Sequence, residues 1–169
     1  MGAFRDRVSF ERRSRRRCSQ IISLRSLGSA RGDDEGGSVL KVKLSRDQLK
    51  SALREDSEFR VFARYWSGSL RFDIGEDVYL IKIKDGEVNA VDSEAPAKSG
   101  LGDVVITAPA DDWAQFLKPL PEPWYHEFYP ASAHHGFHLG GDPDYLWPYY
   151  YAIRRSGEIL RSLATVEKE

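Results

Sequence analysis

Three histidines fall within five positions, His134, His135 and His138, with His126 upstream and Asp142 downstream. Imidazoles beside a carboxylate offer two chemistries: metal binding and proton transfer. Zinc demands three or four ligands converging tetrahedrally, and Cys18, the only cysteine, lies far from this stretch. His135 and His138 flank Gly136 and do not share a rigid helical face, so no metal site is expected. His138 alternates with Phe137 and Leu139, which turns it away from their side of a strand. Asp142 could exchange a proton with a histidine at neutral pH. Followed by Pro143, however, it reads more simply as the cap of a helix whose first residue is proline. The chain contains no Gly-x-Ser-x-Gly, no phosphate-cradling glycine loop and no nucleophile beside a base. No catalytic residue and no cofactor are assigned.

The second concentration of chemistry is aromatic. Trp124, Tyr125, Phe128 and Tyr129 are followed by Trp147 and by Tyr149, Tyr150 and Tyr151. A phenol or indole joins a large apolar area to one hydrogen bond, which suits a binding surface. Consecutive tyrosines on a helix face three directions, so one or two of the three can line a pocket. Phe62, Trp66, Trp113 and Phe116 recur at helical spacing and read first as core.

These side chains need elements to position them. Ser45-Arg46-Asp47-Gln48 has the form of a capping box, so a helix should begin near Arg46. Leu49 and Leu53, then Phe59, Phe62, Ala63 and Trp66, form its apolar stripe, with a break at Glu55-Asp56-Ser57. Three extended runs follow, Leu70 to Ile74, Val78 to Lys84 and Glu87 to Ser93. The last two are joined by Asp85-Gly86, a strong hairpin signal. Val104-Val105-Ile106 is an unbroken apolar run that suits a strand inside the sheet. Ala108-Pro109 opens a helix carrying Trp113, Phe116 and Leu117, which Pro119, Pro121 and Pro123 terminate. Pro130 should bend or end the aromatic segment after it. Phe137 to Leu139 is a short strand stopped by Gly140-Gly141. A last helix from Pro143 has Tyr150, Ile153, Gly157, Leu160 and Ala164 on one face, with Pro148 interrupting it.

The chain has 169 residues, 41% of them hydrophobic and 12% aromatic, enough for one domain with its own core. A single cysteine rules out an internal disulfide, and no apolar run approaches the length of a membrane span. A reducing, aqueous compartment, the cytoplasm, is expected. The formal charge of −1 is unevenly spread. Residues 1–38 hold nine arginines, no lysine and many serines, while the body from Val39 is net −5 and is not expected to bind nucleic acid. Residues 1–38 cannot build a core. They read as untranslated leader with the true start near Val39, as a disordered tail, or as a targeting or nucleic-acid-binding arm; the first is preferred.

Three pieces in this order resemble the sterol carrier protein 2 family. They are the meander ending Lys84-Asp85-Gly86-Glu87-Val88, the stretch from Gly102 to Trp113, and Phe137-His138-Leu139-Gly140-Gly141-Asp142. The resemblance runs over about residues 44–163. It implies a single α/β (α+β) domain over 39–169: a curled, mainly antiparallel sheet with helices on one face and a hydrophobic cavity between. It implies a lipid, sterol or isoprenoid ligand and a role as carrier or accessory protein. The cavity is expected to be lined by some of Phe62, Trp66, Phe72, Leu80, Trp113, Phe116, Tyr129, Trp147 and Tyr150. A small enzyme using His, Tyr and Asp on a hydrophobic substrate is the alternative.

Overall fold

The computed structural model describes residues 40–93 and 103–168. The reading of residues 1–38, and most of the loop after Ser93, lies outside them. Strand β1 (Leu40–Lys43) leads into helix α1 (Arg46–Glu55), where the Ser45 side chain accepts a hydrogen bond from the Gln48 amide as its cap motif requires. Asp56 ends α1 and caps α2 (Ser57–Ala63), its carboxylate accepting from the Phe59 amide at 2.7 Å. Strands β2 (Gly68–Ile74), β3 (Asp77–Lys84) and β4 (Glu87–Asp92) form the expected meander. β5 (Asp103–Thr107) precedes α3 (Ala110–Phe116), α4 (Phe128–His134) and β6 (His138–Gly141). Two helices, α5 (Pro143–Leu146) and α6 (Tyr150–Leu163), and strand β7 (Thr165–Lys168) complete the order.

The main sheet has the order β4-β3-β2-β5-β6. Every pairing is antiparallel except β2 with β5. β5 therefore sits between two neighbours, as its apolar run predicted. Register places Leu70 opposite both Ile81 and Val104, and Phe72 opposite both Tyr79 and Ile106. These six side chains are buried and make the inner face. The alternate row, Ser69, Arg71 and Asp73 on β2 with Lys82 on β3, carries the polar side chains. Helix α1 packs on β4 and α6, α2 packs on α6, and α4 and α5 pack on β6.

Three local readings are corrected. Pro130 neither bends nor ends a helix: it occupies the first turn of α4, where an amide has no intrahelical acceptor to lose. Gly140 and Gly141 continue β6 instead of stopping it. Gly141 adopts φ +98°, and a Cβ there would run into the Asp103 carbonyl, so this close strand contact requires glycine. Finally, the chain continues past Ala164 into β7, which pairs antiparallel with β1 in a separate two-stranded ribbon.

Candidate ligand-binding core

Helix α3 builds the centre of the layer between sheet and helices. Pro109 precedes it, Asp111 and Asp112 lie in its first turn near the positive end of the dipole, and Trp113 and Phe116 turn inward. Around the Trp113 indole stand Phe137 at 4.9 Å, Phe116 at 5.7 Å, Phe72 at 6.1 Å and Phe128 at 6.2 Å between ring centroids. All four contacts are steeply inclined or edge-on, which the ring quadrupoles favour. Phe116 and Phe128 stack at 4.6 Å. This approach depends on Gly157 of α6, where a Cβ would stand 2.7 Å from the Phe128 ring. Trp113 is fully buried, yet its indole N–H has no hydrogen-bond acceptor among the described residues.

One side of the ring cluster is held shut by polar ties. The Tyr125 hydroxyl donates to one Asp112 carboxylate oxygen at 2.5 Å, while the Gly136 amide donates to the other at 3.0 Å. Burial, then the hydrogen bond to Asp112, pushes the Tyr125 hydroxyl up to about 12. The His135 ring stacks on Tyr125 at 3.7 Å. Arg161 of α6 donates to the carbonyls of Phe116, Tyr125 and His126 at 2.8 to 3.2 Å and lies over the Phe116 ring. Desolvation lowers its pKa. Together, Asp112 and Arg161 tie α3, α6 and the segment between α3 and β6.

Of the residues expected to line a cavity, the structure packs Phe72, Trp113 and Phe116 against one another. Trp66 is buried too, but it stacks on Tyr149 at 5.0 Å. Tyr150 is partly buried, and its hydroxyl accepts from the Tyr129 amide. Four of the expected lining residues stand apart from this cluster. Leu80 is buried on the opposite face of the sheet, because it falls between the inward-facing Tyr79 and Ile81. Phe62 is 38% exposed and stacks on Tyr151, since the buried positions of α2 are Phe59 and Ala63. Tyr129 and Trp147 are more than half exposed and pack against each other at the surface. Sequence reasoning left Phe128, Phe137 and Gly157 out of the site. Strand parity offers a signal for Phe137, since the alternation Phe137-His138-Leu139 puts Phe137 and Leu139 on one face.

The histidines are drawn apart. His134 stacks on Trp124, His135 on Tyr125, and His138 is exposed at the start of β6. Asp142 caps α5 by accepting from the Asp144 amide at 3.0 Å. Among the described residues, no three His, Cys, Asp or Glu side chains are grouped to hold a metal ion. A groove of about 400 Å³ beside α2 is lined by Arg60, Arg64, Asp85 and Glu87 as well as Val61, too charged to suit a purely apolar ligand.

A five-stranded, mostly antiparallel sheet with a parallel β2/β5 pair and helices over one face defines a mixed α/β architecture. No family model matches the chain, and no curated protein matches it. Solved structures do. Sterol carrier protein 2 is similar over 69% of this chain and 93% of its own, at 22% identity and a TM-score of 0.55. A conserved hypothetical protein from Thermus thermophilus, described as a possible sterol carrier protein, is similar over 73% of this chain and 90% of its own, at 20% identity and a TM-score of 0.51. The fold is thus that of sterol carrier protein 2.

Proposed function

We propose that the chain is a carrier or accessory protein that binds a hydrophobic small molecule of the lipid, sterol or isoprenoid class between sheet and helices. The observation that carries this reading is the Phe72, Trp113, Phe116, Phe128 and Phe137 cluster, whose indole N–H has no partner among the described residues. A buried donor without an acceptor costs free energy, and an acceptor atom on an otherwise apolar ligand would satisfy it. The described rings touch one another, so a ligand enters by parting them, taking over contacts the rings now make among themselves. Burial of about 300 Å² of apolar ligand contributes on the order of 7 kcal/mol before the costs of association. Carriage asks only for this differential burial, whereas rate acceleration needs groups aimed at a transition state. The enzyme alternative is not favoured, because His134, His135 and His138 are each held by a different neighbour or left at the sheet edge. The reading covers residues 39–169 acting in the cytoplasm; no described helix is long and apolar enough to cross a membrane.

Native mass spectrometry of gently purified protein tests the proposal. A co-purified lipid or isoprenoid, displaceable by a fluorescent fatty acyl probe, is the expected outcome. Absence of both co-purified ligand and displaceable probe, across fatty acyl, sterol and isoprenoid ligands, would leave a filled core and end the proposal.

A further inference from the structure

A ligand that enters the ring cluster must displace a ring, and the elements that carry the rings are not equally free to move. Phe72 stands on β2, which is paired on both sides within the sheet. Trp113 and Phe116 stand on α3, where Arg161 holds the Phe116 carbonyl at 2.8 Å, and Phe137 follows Gly136, whose amide is bound to Asp112. Phe128 is held differently. Its helix α4 has seven residues, of which Phe128 and Ala131 are buried, while Tyr129, Ala133 and His134 are exposed. A short helix held by so little apolar burial opens more readily than a central strand.

The chain on either side of α4 is fixed at a common point. Asp112 accepts from the Tyr125 hydroxyl before the helix and from the Gly136 amide after it, and Arg161 holds the carbonyls of Tyr125 and His126. Residues 127–134 therefore form a flap between two anchors. At the surface the flap is latched to α6: the Tyr129 amide donates to the Tyr150 hydroxyl at 2.8 Å, and Glu127 lies 3.4 Å from Arg154. Beneath it, the Phe128 ring stacks on Phe116 at 4.6 Å and on Phe72 at 5.6 Å, lies 6.2 Å from the Trp113 indole, and fills the notch that Gly157 leaves in α6. The volume this ring occupies is thus walled by three other rings and a helix backbone.

We propose that α4 is the lid of the ligand site and Phe128 its plug: the bound molecule takes the place of this one ring, and the latch to Tyr150 and Arg154 sets how often that place opens. The proposal rests on the ligand-binding reading and adds which residue yields. Truncating a wall weakens binding, whereas truncating a plug strengthens it, because the ligand no longer has to displace the ring. Phe128→Ala should therefore bind a fluorescent fatty acyl probe about tenfold more tightly than the parent, although its thermal midpoint falls. Phe128→Leu, which keeps part of the packing, should shift affinity in the same direction and serves if the alanine variant does not fold. In stopped-flow mixing, the parent's binding rate should level off with rising probe at the opening rate of the lid. The double variant Glu127→Gln, Tyr150→Phe, which releases the latch without touching the ring cluster, should raise that plateau about fivefold. Without probe, the amides of α4 should exchange by local opening, faster than those of α6. Weaker binding by both Phe128 variants, a binding rate indifferent to the latch, or α4 amides that exchange only with the whole domain each overturns the lid and leaves the ligand reading standing. A parent that binds no fatty acyl, sterol or isoprenoid probe while α4 exchanges locally ends the ligand reading, and the lid with it.

Discussion

Trp113 combines two roles that substitution can separate. Trp113→Ala removes the centre of five packed rings and should cost about 3 to 5 kcal/mol in chemical denaturation, with loss of probe binding. Trp113→Phe keeps most of the ring while deleting the orphaned N–H. It should cost less, and should weaken ligands bearing a carbonyl or hydroxyl more than it weakens their hydrocarbon analogues. Equal weakening of both classes would mean that the indole N–H meets no ligand acceptor. A second residue, Asp56, carries a pH signature. Its Arg155 hydrogen bonds, at 2.7 to 3.2 Å, hold the carboxyl below the ordinary value, against the opposing effect of burial. The unfolded chain therefore takes up this proton more readily than the folded one. The contribution is present above the unfolded carboxylate pKa and is lost as pH falls through the lowered folded value. Asp56→Asn retains a good helix cap but loses the charge pair, so stability should fall by about 1 kcal/mol at neutral pH and its acid limb should flatten. Thermal midpoints across an acid series check both.

At the level of elements, α6 is the piece against which the others are fitted. Gly157 has helical surroundings in which alanine ordinarily gains about 1 kcal/mol, yet a Cβ there would press on Phe128 at 2.7 Å and on Phe116 at 3.1 Å. Ring displacement should win, because neither phenylalanine has an open side to retreat into. Gly157→Ala is expected to destabilise by about 1 to 3 kcal/mol and to disturb probe binding without loss of helix content by circular dichroism. By contrast, α5 depends on a local cap. Asp142→Asn should change stability little, since asparagine also caps, and His138→Ala on the exposed edge strand should change it less. Turnover abolished by both substitutions with stability intact would return the enzyme reading to favour.

For the whole molecule, the layered arrangement couples ligand to stability. A molecule bound between sheet and helices binds only the folded chain, so its removal by mild delipidation should lower the thermal midpoint, and adding it back at about a hundred times its Kd should restore about 2.7 kcal/mol. A midpoint indifferent to delipidation, in protein shown to have carried lipid, would put the lipid outside the core. The polar ties from Asp112 and Arg161 close one side of the ring cluster.

Local chemistry was enough to specify the elements. The Ser45 cap, the Asp85-Gly86 hairpin, the break at Asp56 and the helix after Pro109 each rest on hydrogen bonding or backbone geometry within a few residues, and each was legible in the chain. Alternation also fixed which side chains of β2 face inward. Partnership across the fold was not legible. Leu80 has the composition of a pocket residue but the wrong parity, and Phe62 sits beside the buried stripe of α2 instead of within it. Phe128 and Gly157, distant in sequence, meet only when α4 is laid against α6. Periodicity reports the direction a side chain takes from its own element. Which apolar rings share one enclosed volume, and which are left to face water, is decided by the packing of elements that only the tertiary structure brings together.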